Sequence, residues 1–128
     1  MVALASRALD QVRRAEARTE PDLRGSRWAL LKDARHWSGA QLNMMHWLQR
    51  SGLKTARAWR LKEALRSLYE TGRCPQEAGH LLDRWIIWAR RCRLPAFKRL
   101  AATVRAHRDG ILEHFRSGLS NGLIEAMN

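Results

Sequence analysis

The sequence predicts an all-α fold of about six to seven helices, on three observations. Apolar residues recur at three- and four-residue spacing from end to end. No alternating strand pattern interrupts them. Gly and Pro are scarce, at 8 and 3, in a chain dominated by Ala, Leu and Arg, a mix that favours helix over strand.

Val2, Ala5, Leu9 and Val12 form the first stripe, and Pro21 closes that helix. A second helix is expected from about Arg24 or Ser26 to Arg35, with Trp28, Leu31 and Ala34 as its apolar edge. Ser38 with Gln41 has capping-box spacing, opening a third helix that turns Leu42, Met45 and Leu48 inward and stops at Gly52. The fourth spans about Lys54 to Thr71, facing inward through Ala58, Leu61, Leu65 and Leu68, with Gly72 at the left-handed C-terminal position. Pro75 suits the first residue of a fifth helix whose face is Ala78, Leu81, Leu82, Trp85, Trp88 or Ala89, and Cys92. Leu94-Pro95 breaks the chain. Phe97, Leu100, Ala101, Val104, Ile111 and Phe115 then mark a sixth helix that Gly110 weakens without stopping. Leu119 to Gly122 is a turn, and a last helix starts at Leu123 and is cut off at Asn128. Too short to be stable alone, that helix needs packing or a continuation. Both ends look truncated.

A chain of 128 residues can bury one core. Its formal net charge is +12, with Arg outnumbering Lys 20 to 4, which attracts polyanions and makes DNA the expected partner. Basic residues gather at Arg13-Arg14, at Arg57-Arg60-Lys62, and most densely at Arg90, Arg91 and Arg93 followed by Lys98 and Arg99. The last group flanks a helix break, where side chains can converge on a phosphate backbone. The bland reading is a solvated basic surface. Six tryptophans could stack on bases, but most lie on or beside the apolar stripes and read as core; Trp37 and Trp47 are the two whose exposure matters most.

Other chemistry is sparse. Cys74 and Cys92 lack CxxC spacing and a paired His, so neither a zinc site nor a disulfide is implied. His107 and His114 share a helix face without a third ligand. No phosphate loop, HExxH or nucleophile elbow is present. The longest apolar run, Trp85 to Ala89, is too short to span a membrane, and no signal peptide is evident, so a soluble, cytoplasmic chain is expected. The acids show no motif spacing, and Glu125 by itself reads as a surface residue complementing a helix dipole.

Read as a unit, Leu119 to Asn128 (LSNGLIEAMN) resembles the block bearing the last catalytic acid of bacterial insertion-sequence DDE transposases of the ISL group. Further blocks resemble that family in order: Val2 to Arg14 with DQVRR, RWALLK from Arg27, AWRLKEALR from Ala58, LPAFK from Leu94, and the Thr103, His107, Ile111, Leu112 series. The resemblance covers nearly the whole chain. It implies a ribonuclease-H-like core whose two Asp and one Glu hold divalent metal, with a helical insertion between the second Asp and the Glu. This chain would be that insertion, residues 1–118, plus the truncated start of the Glu-bearing helix, residues 119–128, without the central sheet. Glu125 is the one catalytic position carried over, as a ligand to Mg²⁺ or Mn²⁺. With both Asp absent, the chain is expected to be an inactive fragment of an enzyme of DNA strand cleavage and transfer, binding no metal stably by itself. It would need the rest of a split transposase, or act by self-association. The alternatives are a free-standing DNA-binding module, with Gly52-Leu53-Lys54 as the turn before a recognition helix, or an assembly module.

Overall fold

A helix that is apolar on more than one side has to be covered from more than one direction, and residues 54–71 show this most strongly. Thr55, Ala56, Ala58, Leu61, Lys62, Leu65 and Leu68 are all buried there. The computed structural model describes residues 1–71 and 74–116, and its elements are helical throughout. In chain order they are α1 (Val2–Ala17), α2 (Arg27–Leu31), α3 (Gly39–Ser51), α4 (Lys54–Thr71), α5 (Pro75–Arg91), α6 (Pro95–Ala106) and α7 (Arg108–Arg116). Short 3₁₀ turns lie at Pro21–Leu23 and Ala34–His36. Helix α4 takes the central place, packed by α1, α3 and α5, while α6 lies against α1 and α5 and α7 against α5 and α6. Leu9, Leu48, Leu61, Leu65, Leu82, Phe97 and Val104 fill the space between them. Each such side chain contributes roughly 1.5–3 kcal/mol on leaving water.

Caps hold this arrangement in register. Glu16, near the end of α1, reaches the start of α4, where its carboxylate accepts from the Lys54 and Thr55 backbone N–H at 2.8 Å each and from Thr55 Oγ1 at 2.7 Å. These are the unsatisfied donors of a helix N-terminus, and an acid is the group that suits them. The Ser38–Gln41 capping box forms as expected: the Gln41 N–H donates to Ser38 Oγ at 3.2 Å, and the Ser38 N–H donates to Gln41 Oε1 at 3.0 Å. Gly52 ends α3 at φ 72°, a left-handed conformation that costs a side-chain-bearing residue about 1–2 kcal/mol. Pro75 is the first residue of α5, with Cys74 as its cap.

Three expectations need correcting. Helix α2 is five residues long and does not reach Arg35; Lys32 is extended, and the Asp33 side chain starts a separate 3₁₀ turn by accepting from the Arg35 N–H. Its inward residues are Ala29 and Leu30, not Trp28, Leu31 and Ala34, and Trp28 is 65% exposed. So short a helix survives because side chains take its terminal carbonyls: Trp37 Nε1 donates to Ala29 O at 2.7 Å and Lys62 Nζ to Leu30 O at 2.8 Å. Second, the expected sixth helix is two. The break falls at His107 (φ −102°, ψ 14°), which lets α7 fold onto α5, where Arg108 pairs with Asp83 at 2.8 Å and Leu112 reaches Gly79. Gly110 sits inside α7 and makes no break. Third, Leu42, assigned to an inward face, is 43% exposed; of the alternatives Trp88 or Ala89 on α5, Ala89 is the buried one and Trp88 is 43% exposed. The expected left-handed Gly72, the turn at Leu119–Gly122 and the helix from Leu123 lie outside the described residues.

Candidate nucleic-acid interface

The α5–α6 junction follows from its sequence. Cys92 is buried at the end of α5, its thiol donating to Ala89 O at 2.9 Å and its sulfur accepting from the Leu94 N–H at 3.4 Å. Leu94 is buried and Pro95 opens α6. Between them Arg93 takes φ 61°, the one non-glycine residue at positive φ among the described residues, and points its charge outward. Arg90, Arg91, Lys98 and Arg99 are exposed on the flanking turns.

These five side chains do not form one patch. They divide among three hollows. The first, about 450 Å³, joins Arg91 and Arg93 to Arg57 and Arg60 of α4, beside Trp88. The second, about 560 Å³, holds Arg90 and Lys98 with Arg105 over a floor of alanines. The third, about 540 Å³, has Arg93, Arg99 and Lys54 facing Glu16 and Glu20. Arg93 borders the first and third. Antiparallel packing of α4 on α5 creates the first hollow: Arg57 Nη1 donates to Cys92 O at 3.2 Å, and Trp85 Nε1 to Leu61 O at 2.8 Å. Two helices joined by a short turn are neighbours in opposite directions, so the start of α4 must lie beside the end of α5. That rule unites the second and third basic groups of the sequence, which lie far apart along the chain.

Unpaired positive charge is densest at this junction. Among the described residues, Arg57, Arg60, Arg90, Arg91, Arg93, Lys98 and Arg99 make no ion pair. Elsewhere Arg13 and Arg14 pair with Asp10, Arg35 with Asp33, Arg66 with Glu63 and Glu70, and Arg108 with Asp83. Arg7, Arg18, Arg24, Arg27, Lys32, Arg50 and Arg84 also make no ion pair among the described residues but are scattered over the helices and turns. The Arg35 hydrogen bonds hold the Asp33 carboxyl far below the usual carboxylate range, and Arg108 lowers that of Asp83. Lys62, read from sequence as part of the Arg57–Arg60 group, is instead 3% exposed and turned inward to Leu30 O and Glu63. Of the tryptophans, Trp85 is core, and Trp37, Trp47 and Trp59 are half-buried; the exposed ones are Trp28 and Trp88, not the Trp37 and Trp47 singled out. The Arg27 guanidinium lies 5.1 Å from the Trp28 ring centre.

Metal ligation finds no donors here. Among the described residues no three His, Cys, Asp or Glu side chains gather, because the acids are dispersed into caps and ion pairs. His107 caps α6 while His114 packs edge-on to Tyr69 and Phe115. Glu125 lies outside the described residues. The described residues therefore do not fit a divalent ion.

A family described as Transposase, the DDE type of the ISL3 group, matches residues 1–128. The chain belongs to the ISL3 DDE transposases. Two relatives, each the transposase for insertion sequence element IS1557 from a Mycobacterium tuberculosis strain (CDC 1551 / Oshkosh and ATCC 25618 / H37Rv), are 36% identical to it over 159 residues. That match covers 100% of this chain and 35% of theirs, so the chain spans about a third of the length of the curated relatives it matches. No solved structure matches it. No helix among the described residues is long and apolar enough to cross a membrane.

Proposed function

We propose that residues 1–118 form the helical insertion of a DDE transposase, that residues 119–128 begin the helix bearing its last catalytic acid, Glu125, and that the insertion grips DNA through the phosphate backbone. The supporting observation is the local concentration of charge: seven cations that make no ion pair among the described residues surround the α5–α6 junction and the start of α4, and Lys54 and Arg105, which make none either, line the same hollows. Unpaired arginine and lysine on one surface exchange condensed counterions for phosphates. In this reading the whole transposase cleaves and joins DNA strands, with Glu125 among its ligands for Mg²⁺ or Mn²⁺. The two aspartates come from polypeptide beyond this chain, so the chain alone cleaves nothing.

The recognition-helix alternative is disfavoured by α4 itself, which is covered by α1, α3 and α5 and has seven buried residues. A helix covered by three neighbours has little free face to lay in a major groove.

The test is a duplex-binding titration across salt concentration. Wild-type affinity falls steeply and log-linearly with salt, irrespective of DNA sequence. Replacing Arg90, Arg91 and Lys98 by Gln together reduces the slope by about 2–3, at roughly 0.9 per phosphate contact. An unchanged slope, or a strong preference for one duplex sequence, overturns the reading. In parallel, supercoiled plasmid with Mg²⁺ or Mn²⁺ stays un-nicked; nicking that Glu125→Gln abolishes would refute the inactivity of the isolated chain.

A further inference from the structure

We infer that the hollow between α4 and α5 takes an unpaired nucleobase stacked on the Trp88 indole, with its flanking phosphates on Arg57, Arg60, Arg91 and Arg93; this rests on the DNA-binding reading above and refines it. Trp88 is 43% exposed, while Trp85, one turn away on the same helix, is 3% exposed. Among the described residues no ring or cation packs on Trp88. Trp28, although more exposed, already carries the Arg27 guanidinium at 5.1 Å and lines none of the three basic hollows. Trp88 alone combines a free aromatic surface with a concave, cationic setting.

The setting is partly pre-organised. The Arg57 guanidinium is anchored by Cys92 O at 3.2 Å and that of Arg60 by Gln49 O at 2.9 Å, which fixes both without neutralising them. Arg91 and Arg93 enter from the opposite side, and Leu61 and Cys92 supply an apolar floor. The hollow's volume, about 450 Å³, is of ligand size. A duplex presents phosphates but hides its base faces, so it leaves the indole unused. An apolar protein surface would cover the indole but bury four guanidiniums that have no carboxylate partner, at a severe desolvation cost. An unpaired nucleotide satisfies both at once: a π face for the ring and phosphates for the arginines.

The experiment is an anisotropy titration of the full chain with three labelled probes at one salt concentration: a twelve-nucleotide thymidine strand, a strand of equal length made of abasic nucleotides, and a duplex. The intact strand binds about 5- to 100-fold more tightly than the abasic one, the range expected of base–aromatic stacking. Trp88→Leu, which keeps apolar bulk without a ring, removes that preference and leaves duplex affinity within twofold; Trp88→Phe restores most of it. Equal binding of intact and abasic strands by the wild type overturns the inference while leaving duplex binding standing. So does a Trp88→Leu protein that keeps the preference, or one that loses duplex and strand affinity alike. Failure to bind any probe overturns this inference and the DNA-binding reading together.

Discussion

Arg93 carries a conformational cost that its neighbours do not. At φ 61° it occupies a region where glycine is at ease and a side chain is penalised by about 1–2 kcal/mol. Its side chain is exposed and makes no ion pair among the described residues, so the fold gains little from it that glycine could not supply. Strain kept at an outward-facing cation between two basic hollows is accounted for if the cation meets a ligand. Arg93→Gly should therefore leave stability unchanged or raise it by up to about 1 kcal/mol, after allowing for glycine's extra freedom in the unfolded chain. The same change should weaken duplex binding and lower the salt slope by about 0.9. Arg93→Ala should weaken binding equally without the gain in stability. Urea denaturation alongside the binding titration separates the two, and a destabilisation of more than about 0.5 kcal/mol by Arg93→Gly contradicts this account.

Helix α7 depends on a contact that the sequence did not announce. Its periodicity continues that of α6 through Phe97, Val104, Ile111 and Phe115, so a single long helix was the natural expectation. The break at His107 carries no Gly or Pro; tertiary packing of Arg108 and Leu112 against α5 overrides local propensity. The same limit explains α2, where Trp28 reads as a core residue because one dimension does not show that the fold leaves it 65% exposed. Local signals did better: the Ser38–Gln41 box, Gly52, Pro75 and the Leu61–Leu65–Leu68 stripe all stand where they were read. The basic candidates were legible as exposed charges, but their division among hollows needed the α4–α5 pairing. The Arg108–Asp83 pair that docks α7 also predicts acid sensitivity. Arg108 depresses the Asp83 carboxyl, so the pair's contribution is present above the unfolded-state value of about 3.9 and fades as pH falls through the lower folded value. With both side chains substantially exposed, that contribution is at most about 1 kcal/mol. Asp83→Asn should therefore lose stability at pH 7 and approach the wild type near pH 2. A constant difference across that range would exclude the pair as its source.

Taken over its full length, the chain has a formal net charge of +12, and among the described residues seven cations without ion-pair partners are crowded around one helix junction. Like charges held ~10 Å apart in water repel by about 0.4 kcal/mol per pair, and salt screens this at a comparable length. Folding brings these arginines together, so the same surface that favours DNA opposes the compact state. Two consequences follow with opposite signs. Raising salt from low to moderate concentration should stabilise the free protein while it weakens DNA binding. Replacing Arg57, Arg60, Arg91 and Arg93 pairwise by Gln should raise the thermal midpoint at low salt, with the gain shrinking as salt increases. Arg57 and Arg60 should gain less than Arg91, because their carbonyl contacts at the ends of α5 and α3 are lost with the charge. Duplex DNA should restore stability to the wild type more than to these variants, by mass action on the folded form. Thermal melts of the free protein across salt, with and without duplex, measure both effects. If the wild type melts at the same temperature at 10 and 200 mM salt, self-repulsion is not a significant contribution, and the exposed arginines are a solvated surface that costs the fold nothing.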